Sequence, residues 1–472
     1  MLTNTDWIAE GKPWPPEDAD EKARRAEHAR NRQVYAGLHD VVMPRYAAYL
    51  SDQAKDSRKQ PIILDWPALA TGSYISLLLG EEPEVIAGDR PDLPERSDEQ
   101  VFIDVSRYGL GIYEVSDSGI QALSPENCYL ITTPGNIQHY QAIVFFATWK
   151  ETTEKAGQKE VHEYIKFTIH SISRIQHVVY ETRDGKLAGP LELGYFPAYA
   201  TLKTAADGSQ EPPVDDMLVV VVQNKLTSER YYGQSDYSPA VLTLTEHLER
   251  LFAQRAEVLA KFTSPTPVVP ESAAVFDHAK QEWVFKPGNA IITQPGDTQP
   301  ALMVWQAELG AVDRAIEQAM DQLLQMLQLS RVLLAGQGQG TAESGTALRI
   351  RLIPTLAKVS RYARAAERSI PKILNLWSQL HPPAIPIESI TVNMQDGIPE
   401  DPVEIAQVAQ FWDAMGAISM ERKLELQGLK EGSDAFTKEL ERLRAAQPAA
   451  PEAPVVELPG LEATNANQEP AQ

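Results

Sequence analysis

A chain of 472 residues with 43% apolar side chains, 27 glycines and 34 prolines has material for a large core and is too long for one ordinary domain, so two to four structural units are expected. Its 43 basic and 65 acidic side chains leave a formal charge of −22, which argues against a protein that coats nucleic acid, because neutralising phosphates needs Lys and Arg. The lone cysteine, Cys128, excludes an intramolecular disulfide and a cysteine-built zinc site, and it fits a reducing compartment.

The most apolar runs, residues 218–222 and 142–146, fall far short of a membrane span. Asp6 and Glu10 precede any apolar block, unlike a secretory signal. A soluble chain made in the cytoplasm is expected. Asp18 to Gln33 reads as a polar helix, and Val41 to Leu50 as an amphipathic one. Tyr74 to Gly80 reads as a short buried helix stopped by its glycine. From Val101 to Val222 short β-branched and aromatic runs (101–105, 111–115, 141–149, 161–169, 173–180 and 217–222) alternate with turn clusters at Ser116–Gly119 and Arg183–Gly185. The pattern predicts a mostly antiparallel sheet region.

Ser238-Pro239 starts a helix in which Val241, Leu244, Leu248, Leu251, Val258 and Phe262 form a stripe. Residues 268–305 return to strand and turn chemistry. A second helix spans about 306–330, with Asp313, Glu317 and Asp321 stacked at four-residue steps opposite its apolar side. A glycine-rich segment then leads to a third, very long helix, about 346–380, which Pro354 should kink. Residues 387–394 offer one more strand, and 401–414 and 419–446 two helices joined at Gly416. The tail 447–472 lacks Lys and Arg and is expected to be disordered.

Gly336-Gln337-Gly338-Gln339-Gly340 invites a phosphate-loop reading, but a P-loop needs a strand before it and Lys-Ser/Thr after its last glycine. Here Thr341-Ala-Glu343 follows, between helices. There is no His-Glu-x-x-His, no Gly-x-Ser-x-Gly and no clustered histidine pair among nine scattered histidines. The sequence therefore offers no catalytic, cofactor or metal candidate. The third helix is electrostatically odd: Arg349, Arg351, Lys358, Arg361, Arg364, Arg368 and Lys372 stand against Glu367 alone. Arg361, Arg364, Arg368 and Lys372 share one face, which could be solvated, meet an acidic neighbouring subunit, or meet nucleic acid.

This order of elements resembles the siphophage-type phage portal proteins. Tyr232-Gly-Gln-Ser-Asp-Tyr237 before a helix resembles the start of the family's stem, and Glu343-Ser-Gly-Thr-Ala-Leu348 its long basic helix. The strand 390–394 with Pro399-Glu-Asp401 and then Gly416-Ala-Ile-Ser419 resembles its last wing strand and the start of its crown. Tyr108-Gly-Leu-Gly111 resembles a hairpin of its wing sheet. The resemblance covers roughly residues 70–445.

It implies an α+β portal fold: a β-rich wing (1–237), stem helices (238–262 and 306–330), a small β clip (263–305), a tunnel loop (331–345), a long kinked helix with a wing strand (346–395) and a helical crown (396–446). The implied function is a non-enzymatic ring of about twelve subunits at one capsid vertex of the virion, passing double-stranded DNA during packaging and ejection. The implied partners are the terminase large subunit, the major capsid protein with or without scaffolding protein, and a head-tail adaptor. No membrane and no cofactor are implied. Gly336 to Gly340 and Ser344 would line the tunnel. Asp313, Glu317 and Asp321 would line the channel or face a neighbour's basic helix. Arg361, Arg364, Arg368 and Lys372 would form the subunit interface. Trp283, Val284 and Phe285 would dock the motor or pack the clip's own core. A nucleotide-dependent DNA-processing enzyme using the Gly336 loop, and a different head-tail adaptor or minor capsid protein, remain the alternatives.

Overall fold

The computed structural model describes residues 2–53, 62–81, 83–87, 93–155, 158–200, 202–262, 266–268, 275–277, 282–284, 301–303, 309–335, 345–394, 410–411, 415 and 434–446. The chain divides into two compact units, Met1–Ile398 and Pro399–Gln472.

Helix α1 (Ala19–Tyr35) begins where the Asp18 carboxylate accepts the Glu21 amide at 3.0 Å, satisfying an otherwise orphaned donor. Its inward face is polar: Glu21, Arg24, His28 and Asn31 recur at three- and four-residue steps and are buried. The Arg24 guanidinium donates to Glu21 at 2.9 Å and to the carbonyls of Cys128 at 2.6 Å and Pro125 at 3.2 Å. Tyr231 donates its hydroxyl to Glu21 at 2.8 Å. A helix that reads as surface-polar is thus buried, at tolerable cost because each charge has a partner. Two short helices, α2 (His39–Val42) and α3 (Pro44–Gln53), lead to α4 (Trp66–Leu79). It starts earlier than the 74–80 run suggests, because Pro67 in its first turn presets a helical φ.

After strand β1 (Glu84–Ala87), helix α5 (Asp98–Tyr108) corrects a sequence expectation. Val101 to Val105 is helix, not strand; Val101, Phe102, Val105 and Tyr108 are buried at helical spacing. The β-branched run misled because burial on a helix face overrides local propensity. Tyr108-Gly-Leu-Gly111 is likewise not a hairpin. Gly109, at φ +79°, caps α5 by donating to the Val105 carbonyl at 3.0 Å, and the chain turns into a strand.

That strand, β2 (Leu110–Ser116), makes a hairpin with β3 (Gly119–Leu123). Then β4 (Cys128–Thr133), β5 (Asn136–Lys155), β6 (Gln158–Ser171), β7 (Arg174–Arg183) and β8 (Lys186–Leu191) follow as an antiparallel meander, with β9 (Ser209–Gln210) beside β7. The turn expected at Arg183–Gly185 places Asp184 at φ 48° and Gly185 at φ 70°, the left-handed pair of a tight hairpin. Strand β10 (Val219–Gln223) returns to the free side of β2, with Val220 opposite Tyr113.

Helix α6 (Pro239–Phe262) follows. The chain beyond it pairs β11 (Thr266–Val268) with β14 (Ala301–Met303) and, between them, β12 (Val275–Asp277) with β13 (Glu282–Val284). Then come α7 (Leu309–Leu327), the short α8 (Val332–Ala335) and the 36-residue α9 (Gly345–Leu380). The disturbance expected at Pro354 leaves α9 continuous, as does Pro371. Pro354 and Ile350 lie on its exposed side, where water can take the carbonyl that proline leaves without a donor. Strand β15 (Ile390–Asn393) pairs with β1.

One core joins α4, α5, β2, β10, α6, α7 and α9, through residues such as Leu78, Phe102, Val220, Leu248, Leu323 and Ile373. A second, aromatic cluster seats Trp7 and Trp14 on Tyr129 and Phe167. The second unit contributes helix α10 (Asp434–Ala446). The expected joint at Gly416 and the tail 447–472 lie outside the described residues, as do most of 401–433.

Candidate functional site

Two of the sequence motifs turn out to touch. A Cβ on Gly233 would meet the Gly109 carbonyl oxygen at 2.1 Å and that of Asn224 at 2.2 Å; one on Gly109 would meet the Gly233 carbonyl at 2.4 Å. Only glycine allows the backbones this close. Asn224 N then donates to Gly109 O at 3.0 Å, Gln234 N to Asn224 O at 2.8 Å, and Asp236 N to Ser106 O at 2.9 Å. The Ser235 hydroxyl donates to the Arg107 carbonyl at 2.7 Å and accepts from Asn31 at 3.0 Å and from the Tyr237 amide at 2.9 Å.

Asp236 sits at the centre. Its carboxylate accepts from Asn224 and Ser106, each at 3.0 Å, pairs with Lys225 at 3.0 Å, and receives the Lys358 ammonium and the Tyr362 hydroxyl from α9. Tyr237 and Ser106 both meet the Thr71 hydroxyl, at 3.1 and 2.9 Å. The first residues before α6 are thereby tied to α1, α4, α5 and α9 at once. Burial alone would push the Asp236 carboxyl upward, but Lys358 and Lys225 outweigh it and hold the group down at about 2. Asp236 is therefore a permanent anion, spent on holding helices together. No sequence pattern marked Lys358 and Tyr362 as its partners, although their four-residue spacing puts both on one face of a helix.

A second buried contact grips α6 further along. His39 lies with Nδ1 at 2.5 Å from Glu249 and Nε2 at 3.0 Å from the Val34 carbonyl, and the Leu64 amide donates to Glu249 at 2.9 Å. Burial opposes a charged imidazole, yet hydrogen bonding and charge from Glu249 raise His39 above its ordinary value. The Tyr46 amide donates to Glu246 at 2.8 Å.

The end of α6 meets the start of α7, where Arg255 donates to Asp313 at 2.6 Å. Ile316, Ala319, Leu323, Leu324 and Leu327 of α7 are buried, whereas Glu317 and Asp321 are exposed. Asp321 lies 3.6 Å from Arg331. Two of the three stacked carboxylates thus have a cation in their own chain, and Glu317 has no cation partner among the described residues. Helix α7 ends at Gln328 in a left-handed conformation (φ 57°), with Leu329 N donating back to Leu324 O at 2.9 Å. The chain beyond is fixed onto α9: Ser330 N donates to Thr355 at 2.8 Å, and Arg361 donates to Gln328.

The basic helix is divided by the fold. Lys358 faces inward to Asp236, and Lys372 pairs with Asp216 at 3.1 Å. Arg364 and Arg368 remain exposed. Of the four residues expected on one face, Arg361 donates to Gln328, Lys372 pairs with Asp216, and Arg364 and Arg368 are exposed. Trp283 and Val284 lie on β13, opposite Phe276 and Val275. Phe285, Gly336, Gln337, Gly338, Gln339, Gly340 and Ser344 lie outside the described residues. Among the described residues no cluster of His, Cys, Asp and Glu could hold a metal ion, and no helix is long and apolar enough to cross a membrane.

The sequence model of the phage portal protein family, SPP1 Gp6-like, matches residues 16–451, and the chain belongs to that family. The match takes in α1, which the motif resemblance had left out. No curated protein matches the chain.

Proposed function

We propose that the protein assembles into a ring-shaped channel of about twelve subunits at one capsid vertex, through which double-stranded DNA is packaged and later ejected. In this reading α6 and α7 are the stem, 263–305 the clip that docks the terminase large subunit and then the head-tail adaptor, 331–345 the tunnel loop, and 396–446 the crown. Residues 1–237, with part of 345–395, form the wing in contact with the major capsid protein. The observation that carries the reading is the Asp236 junction. It anchors the start of α6 to α9 inside a compact wing, while the far end of α6 runs through β11 and β14 into α7. Two packed helices joined through short strand pairs suit a ring that lines a channel with identical walls.

The test is imaging of the purified protein. Rings with a central hole are the expected result; a monomer at micromolar concentration, with no rings at any salt, would overturn the reading.

A further inference from the structure

The β5–β6 hairpin is longer than the sheet that contains it. Strand β4 stops opposite Phe145, and β7 ends its pairing with β6 at Glu163 opposite Thr182. Yet β5 and β6 stay paired from Ala142–Ser171 out to Lys155–Gln158. Beyond Glu163 only β5 and β6 continue, and residues 151–155 and 158–162 form a two-stranded ribbon about 16 Å long at roughly 3.3 Å per residue. Thr148, Lys150, Thr152 and Val161 on one face are exposed, as are Glu151 and Glu160 on the other. Over this length the outer edge of β5 makes no backbone hydrogen bond to another described strand. A lone two-stranded ribbon is marginally stable in water, and its free edge invites pairing. Its base, however, is anchored: Trp149 packs on Phe196 at 5.3 Å and on Tyr199 at 5.8 Å.

The two faces differ in charge. On one, Lys150 and Glu163 offset each other at 3.8 Å. On the other, Glu151, Glu160 and Glu181 gather around His162, which lies 2.7 Å from Glu181 and 3.8 Å from Glu160, with Arg183 on Glu181 at 2.6 Å. The complementary surface belongs to the same sequence: Arg364 and Arg368, about one helical turn apart on α9, are exposed and have no carboxylate partner among the described residues.

We infer that the ribbon is an inter-subunit arm whose acidic face lies on the Arg364–Arg368 ridge of the neighbouring copy. A second copy is the occupant because both halves of the charge match are carried by this chain, and such a head-to-tail contact repeats around a closed ring. The inference rests on the ring reading above and adds to it a specific surface.

Four variants of the whole protein test it. One joins Lys150 to Glu163, which stand directly opposite each other, through an Asn-Gly turn and so removes the arm. The others are Glu151→Lys with Glu160→Lys, Arg364→Glu with Arg368→Glu, and all four reversals together. Light scattering on size-exclusion fractions reads the ring population, and thermal unfolding of the monomer reads folding. The armless variant should keep its monomer melting midpoint and lose rings. Each charge pair should weaken assembly about tenfold, and the fourfold variant should regain it. Undiminished rings without the arm, or a fourfold variant no better than either pair, would overturn the arm and leave the ring reading standing. Absence of rings in the unaltered protein overturns both.

Discussion

A carboxylate with almost no access to water stays ionised only if donors and cations replace its hydration, and Asp236 collects five of them. Removing it strands the Lys358 ammonium inside the protein. Asp236→Ala should therefore cost about 3–5 kcal/mol in urea unfolding, whereas Asp236→Asn combined with Lys358→Met should recover most of that loss. The pH dependence has a definite sign. A carboxyl held below its unfolded value of 3.8, here at about 2, contributes stability above the unfolded value and loses it as pH falls through the folded one. About 2.5 kcal/mol should disappear between about pH 4 and 2, at roughly 1.36 kcal/mol per unit, and Asp236→Asn should lack that acid limb. His39 works in the opposite sense. Its value is raised above 6.5, so its contribution is complete below pH 6.5 and is lost as pH climbs through the raised value. Unfolding midpoints measured across pH should show this alkaline decline in the parent and not in His39→Gln.

Elements meet in this protein where side chains are missing as much as where they are present. Gly233 and Gly109 let two backbone segments cross within hydrogen-bonding distance, and a methyl group at Gly233 would overlap two carbonyl oxygens. Gly233→Ala should destabilise by about 2–4 kcal/mol, read as a lowered thermal midpoint with the secondary-structure content of the folded state unchanged. The ion pair of Arg255 with Asp313 is half exposed and is worth at most about 1 kcal/mol, so the α6–α7 contact depends on its apolar face. Glu317 and Asp321 stay exposed on α7. If they line a channel, their charge disfavours tight phosphate contacts over the roughly 8–10 Å that salt leaves unscreened. Particles carrying Asp313→Lys, Glu317→Lys and Asp321→Lys should assemble and package DNA more slowly; normal packaging rates in intact rings would rule out a repulsive wall.

At the scale of the whole molecule, charge is unevenly distributed. The chain carries −22, yet α9 is basic, and the fold neutralises two of its lysines internally through Asp236 and Asp216. Arg364 and Arg368 form an exposed ridge about one helical turn long on α9. An interface built on it should respond to salt, because exposed pairs are screened while the buried Asp236 cluster is not.

The sequence by itself determined the order and kind of the long elements: α6, α7 and α9 from 3.6-residue stripes, and β5, β6, β7 and β10 from β-branched runs bounded by turn residues. It also marked Tyr232–Tyr237 and the glycines around Gly109 as special, and it was enough to place the chain among phage portal proteins. These signals are local, because periodicity and turn chemistry are properties of neighbouring residues. Only the tertiary structure decided that 101–105 is a helix, that the polar face of α1 is buried, and that Lys358 turns inward while Arg364 does not. Each of those outcomes depends on a partner far away in the chain: Glu21 needs Tyr231, and Asp236 needs a lysine 122 residues on. A charge looks the same in sequence whether it faces water or a buried counter-charge, and only the fold supplies the difference.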